Sequence, residues 1–241
     1  MKLRFSSVLI GWLLCMALTN CRQDNRNNEQ TNNGFPEPPT VTDADSLHPE
    51  NGARSPGIAE DYTTTNRVIW QKPDMIIDLL GDVSGKTIVD IGAGTGFFAL
   101  RLAPKAKKVI AVDIDKRFTE YLDSVKVLEL PEGMQNRLET RLASPRDPLL
   151  QLNEADIVLI VNTFMYIEDK PGYLKILHRG MSEGGQLLIV DFKKKRTPIG
   201  PPSVIRVPIH VVEEALYDAG FRNIVANDTS LDYQYIVTAQ K

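Results

Sequence analysis

Three glycines at alternate positions, Gly92, Gly94 and Gly96, follow an apolar run in the stretch Thr87–Leu100, TIVDIGAGTGFFAL. Glycine carries no Cβ, so such a segment turns sharply and lets a ligand approach the backbone itself. The run before it, Thr87, Ile88, Val89 and Ile91, is β-branched and suits a strand buried on both faces of a parallel sheet, with Asp90 as its one polar interruption. Phe97 to Leu102 reads as the start of a helix. Strand, glycine turn and helix N-terminus together form a nucleotide-binding turn. The dinucleotide fingerprint G-x-G-x-x-G needs glycine where Phe97 stands. A bulky residue there disfavours a pyrophosphate at the helix start, and with it a nicotinamide oxidoreductase.

A second carboxylate completes the pattern. Lys108 to Asp113, KVIAVD, is another apolar strand, and Asp113 follows Gly96 by about 17 residues, near the spacing of an acid that chelates two ribose hydroxyls. An ordinary βαβ crossover with a glycine-rich turn is the plainer alternative. In parallel sheets ligands bind beyond the carboxyl ends of the strands, so Asn162 to Tyr166 after a fourth strand, and Asp191 at the end of a fifth, fall where an acceptor would be read.

The chain resembles the class I S-adenosylmethionine-dependent methyltransferases in five segments that occur in the family's order: VDIGAGTGFF, VIAVDID, ADIVLIVNTFMYI, GGQLLIVDF and VVEEALYDAGF. The resemblance runs from about Tyr62 to the C-terminus. It implies an α/β fold, a doubly wound Rossmann-like sheet of seven strands with the last antiparallel, and S-adenosylmethionine as cofactor. Because the sulfonium already activates the methyl group, such an enzyme mainly aligns an acceptor and excludes water.

The resemblance also implies roles. Gly92, Ala93, Gly94 and Gly96 pass beneath the methionine and ribose, Asp90 orients the turn or the amino group, Asp113 holds the ribose and Ile114 lies against the adenine. The acid that many relatives place after the third strand is absent from Ala143–Asp147, ASPRD, where Ser144 hydrogen-bonds instead or Asp147 reaches. Asn162 contacts the methionine end. Tyr166 either orients or deprotonates the acceptor or is an aromatic packed at a helix start, and Asp191 carries the same ambiguity. Arg67 to Pro73, RVIWQKP, resembles a helix that closes over the cofactor in one subset of the family, with Trp70 and Gln71 either in that lid or anchoring it. The histidine pair typical of that subset is replaced by Phe164, Met165 and Tyr166, so its substrate does not carry over.

Around these residues the pattern predicts helices over 117–127, 173–181 and 211–219, with Gly184 and Gly185 stopping the second and Gly220 capping the third. Strands are expected at 137–142, 155–161, 186–191 and 233–239, the last near the sheet edge.

The N-terminus is a different polymer. Residues 1–20 combine Lys2 and Arg4 with an apolar run from Val8 to Leu18, a secretory signal too short to span a bilayer comfortably. Cys21 after it resembles a bacterial lipobox, although Asn20 is not the usual small residue; an uncleaved anchor is the alternative. Residues 21–58 read as a disordered tether and 59–241 as one domain. Cys15 leaves with the signal, so cysteine carries neither catalysis nor a structural metal. His48, His178 and His210 show no metal-ligand spacing.

The formal charge of −3 becomes about −5 without the signal, which disfavours nucleic acid as a substrate. Lys193–Arg196, KKKR, is a solvated loop or a patch for an anionic substrate or lipid head group. The reading is a methyltransferase for a small-molecule or lipid-like acceptor, tethered at the bacterial cell envelope and facing the periplasm, or anchored and facing the cytosol. The alternative is a catalytically degenerate, envelope-tethered binding module of the same fold.

Overall fold

Alternation along β1 (Thr87–Ile91) sends Val89 and Ile91 into one apolar cluster and Ile88 into another, and the same division holds in every central strand. The computed structural model describes residues 36–39 and 67–241, so the signal expected at 1–20, with Cys21 and nearly all of the tether, lies outside the described residues.

The elements in chain order are α1 (Arg67–Gln71), α2 (Pro73–Asp78), β1, α3 (Ala99–Leu102), β2 (Lys108–Asp113), α4 (Lys116–Glu129), α5 (Glu132–Gln135), β3 (Leu138–Leu142) and β4 (Ala155–Val161). A 3-10 turn (Phe164–Tyr166) then leads to α6 (Lys170–Gly180), β5 (Met181–Phe192), α7 (Ile209–Asp218), β6 (Arg222–Asn227) and β7 (Gln234–Gln240). The seven strands form one sheet in the order β3-β2-β1-β4-β5-β7-β6, with β7 antiparallel to its neighbours. This is the doubly wound α/β architecture expected from the sequence.

One face of the sheet packs Ile110, Val158 and Ile189 against Leu174 and Leu177 of α6 and Val212 and Leu216 of α7. The other packs Val109, Leu159 and Val190 against Ile76 of α2, Leu102 of α3 and Leu122 of α4. Each such side chain contributes about 1.5–3 kcal/mol when fully buried, so the two layers explain why the apolar runs in the sequence are continuous.

Two expectations are corrected. The turn after β1 delays the helix start from Phe97 to Ala99, because Gly96 still has a positive φ. The helix over 173–181 begins earlier and ends at Gly180, while Gly184 and Gly185 fall inside β5, where the pairing with β4 shifts register. As expected, β7 lies next to the sheet edge; it is nearly buried, and β6 forms the edge itself with mostly exposed residues. β6 had no clear alternation to announce it.

Candidate cofactor and acceptor site

At the carboxyl ends of β1 and β2 the Gly94 amide donates to Asp113 Oδ2 at 2.8 Å. Asp113 Oδ1 accepts from the Asp115 amide at 3.0 Å, which closes the turn into α4. Burial pushes the Asp113 carboxyl up despite these amides. The turn itself is held to β2 by Gly92 and Ala93, whose amides both donate to Val112 O.

Each glycine answers a different constraint. Gly92 (φ +71°) lies against Thr163, whose side chain occupies the space a Cβ would need. Gly96 (φ +84°) lies in the same way against Leu122 of α4. Gly94 (φ +53°) faces open space, which is what a backbone segment that receives a ligand requires. Ile114, half exposed beside Asp113, is free to serve as an apolar wall.

Asp90 is buried, and burial raises its pKa to about 7 against the opposing effect of Arg67 and a hydrogen bond from the Ala99 amide. Arg67 is the first residue of α1, and its guanidinium lies 4.0 Å from the centre of the Phe97 ring. Arg101 lies on the same ring at 4.0 Å. Phe97 is therefore a platform for two cations that ties α1 to the glycine turn. The sequence offered Phe97 as a missing glycine and a helix start, with no sign of this role.

At the end of β4, Asn162 adopts φ +57° and is 8 % exposed. Its Oδ1 accepts from Gln71 Nε2 at 3.4 Å and from Gln234 Nε2, while Gln71 Nε2 also reaches Gln234 Oε1 at 3.1 Å. Asn162 Nδ2 is buried with no partner. Gln71 and Gln234 are fully buried, and Arg67 Nε donates to Gln71 Oε1 at 2.5 Å. Trp70 packs on Phe192 with ring centres 5.6 Å apart and holds the same helix down. Arg67 and Gln234 were not legible as site residues, because only the fold brings residues so far apart in sequence to one edge.

Asp191 is 1 % exposed. Its Oδ2 accepts from the Met165 amide at 2.9 Å and its Oδ1 from the Phe192 amide at 2.8 Å, and burial raises its pKa to about 7. Lys170 also holds this turn, donating to Ile167 O at 2.6 Å. Tyr166, at 46 % exposure, is presented by this clamped turn. Ser144 closes its own turn, exchanging backbone hydrogen bonds with Asp147, and Asp147 Oδ1 accepts from the Leu149 amide at 2.8 Å. His178, half-buried on α6, packs edge-on against Phe221.

The cradle fits S-adenosylmethionine: an open glycine at Gly94, a carboxylate at Asp113 with acceptor capacity left for hydroxyls, an apolar wall at Ile114 and an unpartnered donor at Asn162.

Residues 89–189 match the family model described as a methyltransferase domain. Phosphoethanolamine N-methyltransferase 3 of Arabidopsis thaliana is 22 % identical over 170 residues, covering 67 % of this chain and 34 % of its own length. The chain thus spans about a third of that plant relative. A SAM-dependent methyltransferase from Aquifex aeolicus superposes with a TM-score of 0.68 at 25 % identity, over 75 % of this chain and 95 % of the other. The [4+2]-cyclase SpnF superposes with a TM-score of 0.61 at 16 % identity, over 71 % of this chain and 80 % of its own. Fold, domain match and cradle together place the described domain in the class I architecture of S-adenosylmethionine-dependent methyltransferases.

Proposed function

We propose that this chain transfers a methyl group from S-adenosylmethionine to a small-molecule or lipid-like acceptor by in-line displacement, held at the bacterial cell envelope by its N-terminus through a lipidated Cys21 or an uncleaved anchor. The observation that carries the cofactor reading is the Gly94–Asp113 hydrogen bond beside a glycine whose missing Cβ leaves open space. A fold alone would not suffice, since a cyclase shares it.

When bound, the cofactor supplies an electrophilic methyl group on a sulfonium. Asp113 would accept from the ribose hydroxyls and Asn162 Nδ2 would donate to the methionine end. Arg67, Gln71 and Trp70 hold α1 across the edge and limit water at the reacting atoms. Asp191, with both oxygens on backbone amides, positions the 164–166 turn, whose half-exposed Tyr166 would meet an acceptor. The intact cradle supports retained cofactor binding, which a degenerate binding module would not need.

The relatives named phosphoethanolamine N-methyltransferases make an ethanolamine amine, free or in a lipid head group, the first acceptor to try. Calorimetric titration with S-adenosylmethionine and separately with NAD tests the cofactor. Release of S-adenosylhomocysteine with phosphoethanolamine or with phosphatidylethanolamine vesicles tests the acceptor. Micromolar binding of S-adenosylmethionine alone supports the reading, and binding of neither ligand overturns it.

A further inference from the structure

Phe192, the last residue of β5, is a hub on the carboxyl edge of the sheet. Trp70 of α1 packs on its ring, Gly200 lies so close to that ring that no Cβ would fit, and the Arg206 guanidinium stands 5.2 Å from its centre. The loop 193–208 therefore leaves the sheet at the same edge that α1 covers and that carries Asn162 and Gln234.

This loop is prefolded. Arg206 is buried and donates to Pro201 O at 2.7 Å, Lys195 O at 2.9 Å, Lys193 O at 3.1 Å and Ile199 O at 3.3 Å. One buried cation thus fixes the backbone from which Lys194, Lys195 and Arg196 project, all three exposed. Among the described residues none of the three has an ion pair. Asp228 and Asp232, the acids of the β6–β7 loop, act on Lys193, which donates to Leu231 O at 2.7 Å. Further along the loop Val204 is 78 % exposed, and on α1 Ile69 is 74 % exposed and Val68 44 %. Large apolar groups exposed on this loop and on the helix that shares Phe192 with it, together with cations that carry no ion pair, have the composition of a surface that meets anionic lipid.

We infer that the carboxyl edge, with Lys194, Lys195 and Arg196 on the head groups and Val204 and Ile69 in the interface, docks on an anionic phospholipid surface and turns the mouth of the cofactor site toward the bilayer. Charge complementarity selects the lipid as occupant. The inference deepens the acceptor reading above: it favours an acceptor that resides in the membrane.

The test uses the full chain bound to vesicles of phosphatidylcholine alone or with phosphatidylserine added, and reads lysine labelling by a water-soluble acylating reagent. Lys105 and Lys107 are exposed at the opposite edge, ahead of β2, and serve as internal references. Lys194 and Lys195 are expected to be protected, relative to these, on anionic vesicles only, and molar salt should abolish the protection. Arg196→Glu, on a loop whose shape Arg206 sets, should restore labelling of both lysines by about fivefold or more. Equal labelling on the two vesicle types overturns the inference. Protection without anionic lipid also overturns it, since it would mean a protein or a second copy covers the edge. Because neither cofactor nor acceptor is present, a failed methyltransferase reading would leave this result unchanged.

Discussion

The amide of Gly94 and Oδ2 of Asp113, 2.8 Å apart, join the first glycine turn to the second strand and set both ends of one ligand cradle. The bond explains why a glycine motif and an acid separated by a helix act as one unit. The acid shapes the turn before any ligand arrives, and its two oxygens, each on a backbone amide, keep acceptor capacity for further donors.

Replacing Asp113 by alanine should therefore weaken S-adenosylmethionine binding by about 1.5–3 kcal/mol, roughly 10- to 150-fold, because charge-assisted hydrogen bonds to hydroxyls are lost. Asp113→Asn should fall between. Calorimetric titration of the two variants decides it, and an unchanged affinity would remove the ribose assignment.

The glycines should not be equivalent. Gly92→Ala meets both a positive φ and the Thr163 side chain and should lose about 2–4 kcal/mol of stability. Gly94→Ala meets only the positive φ and should lose about 1 kcal/mol while still reducing cofactor affinity. Denaturant unfolding compared with ligand titration separates the two effects.

Asn162 combines a left-handed backbone with a side chain that binds Gln71 and Gln234. Asn162→Gly keeps the backbone and removes the side chain, whereas Asn162→Ala should also incur about 1 kcal/mol of strain. If Nδ2 serves the methionine end, both variants should bind S-adenosylmethionine about tenfold more weakly. Only the alanine variant should show the additional strain in thermal unfolding.

Asp90 and Asp191 each carry a folded-state pKa raised by burial to about 7 from an ordinary 3.8. The folded state then binds these protons more tightly than the unfolded chain. Their stabilising effect is complete below about pH 4 and is lost as pH rises through 7. Thermal unfolding followed from pH 5 to pH 8 should show stability from these groups falling, and Asp191→Asn should flatten part of that slope. A slope that Asp191→Asn leaves untouched would place the titration elsewhere.

Local features were readable because they depend on local physics. The β-branched runs of β1, β2 and β4 announce buried parallel strands, alternate glycines announce a turn that no L side chain adopts easily, and Gly220, at φ +96°, ends α7 as a cap should. The pairing of Gly92, Gly94 and Gly96 with Asp113 is local in the same sense, since one βαβ unit contains both.

The opposite held where partners come from distant strands. Asn162, Gln71 and Gln234 touch only because β4 and β7 flank β5 and α1 crosses their ends, a relation with no period in the sequence. Asp191 could be placed at a strand end from its apolar neighbours, yet its engagement with the Met165 amide depends on how the 3-10 turn folds back. Phe97 looked like a defect in a fingerprint until two arginines were found on its ring. Sequence determined which segments bury themselves and where the backbone must turn, because those follow from side-chain volume, polarity and φ. Tertiary structure alone decided which polar groups meet, because a hydrogen bond needs its partners within about 3 Å whatever their distance along the chain.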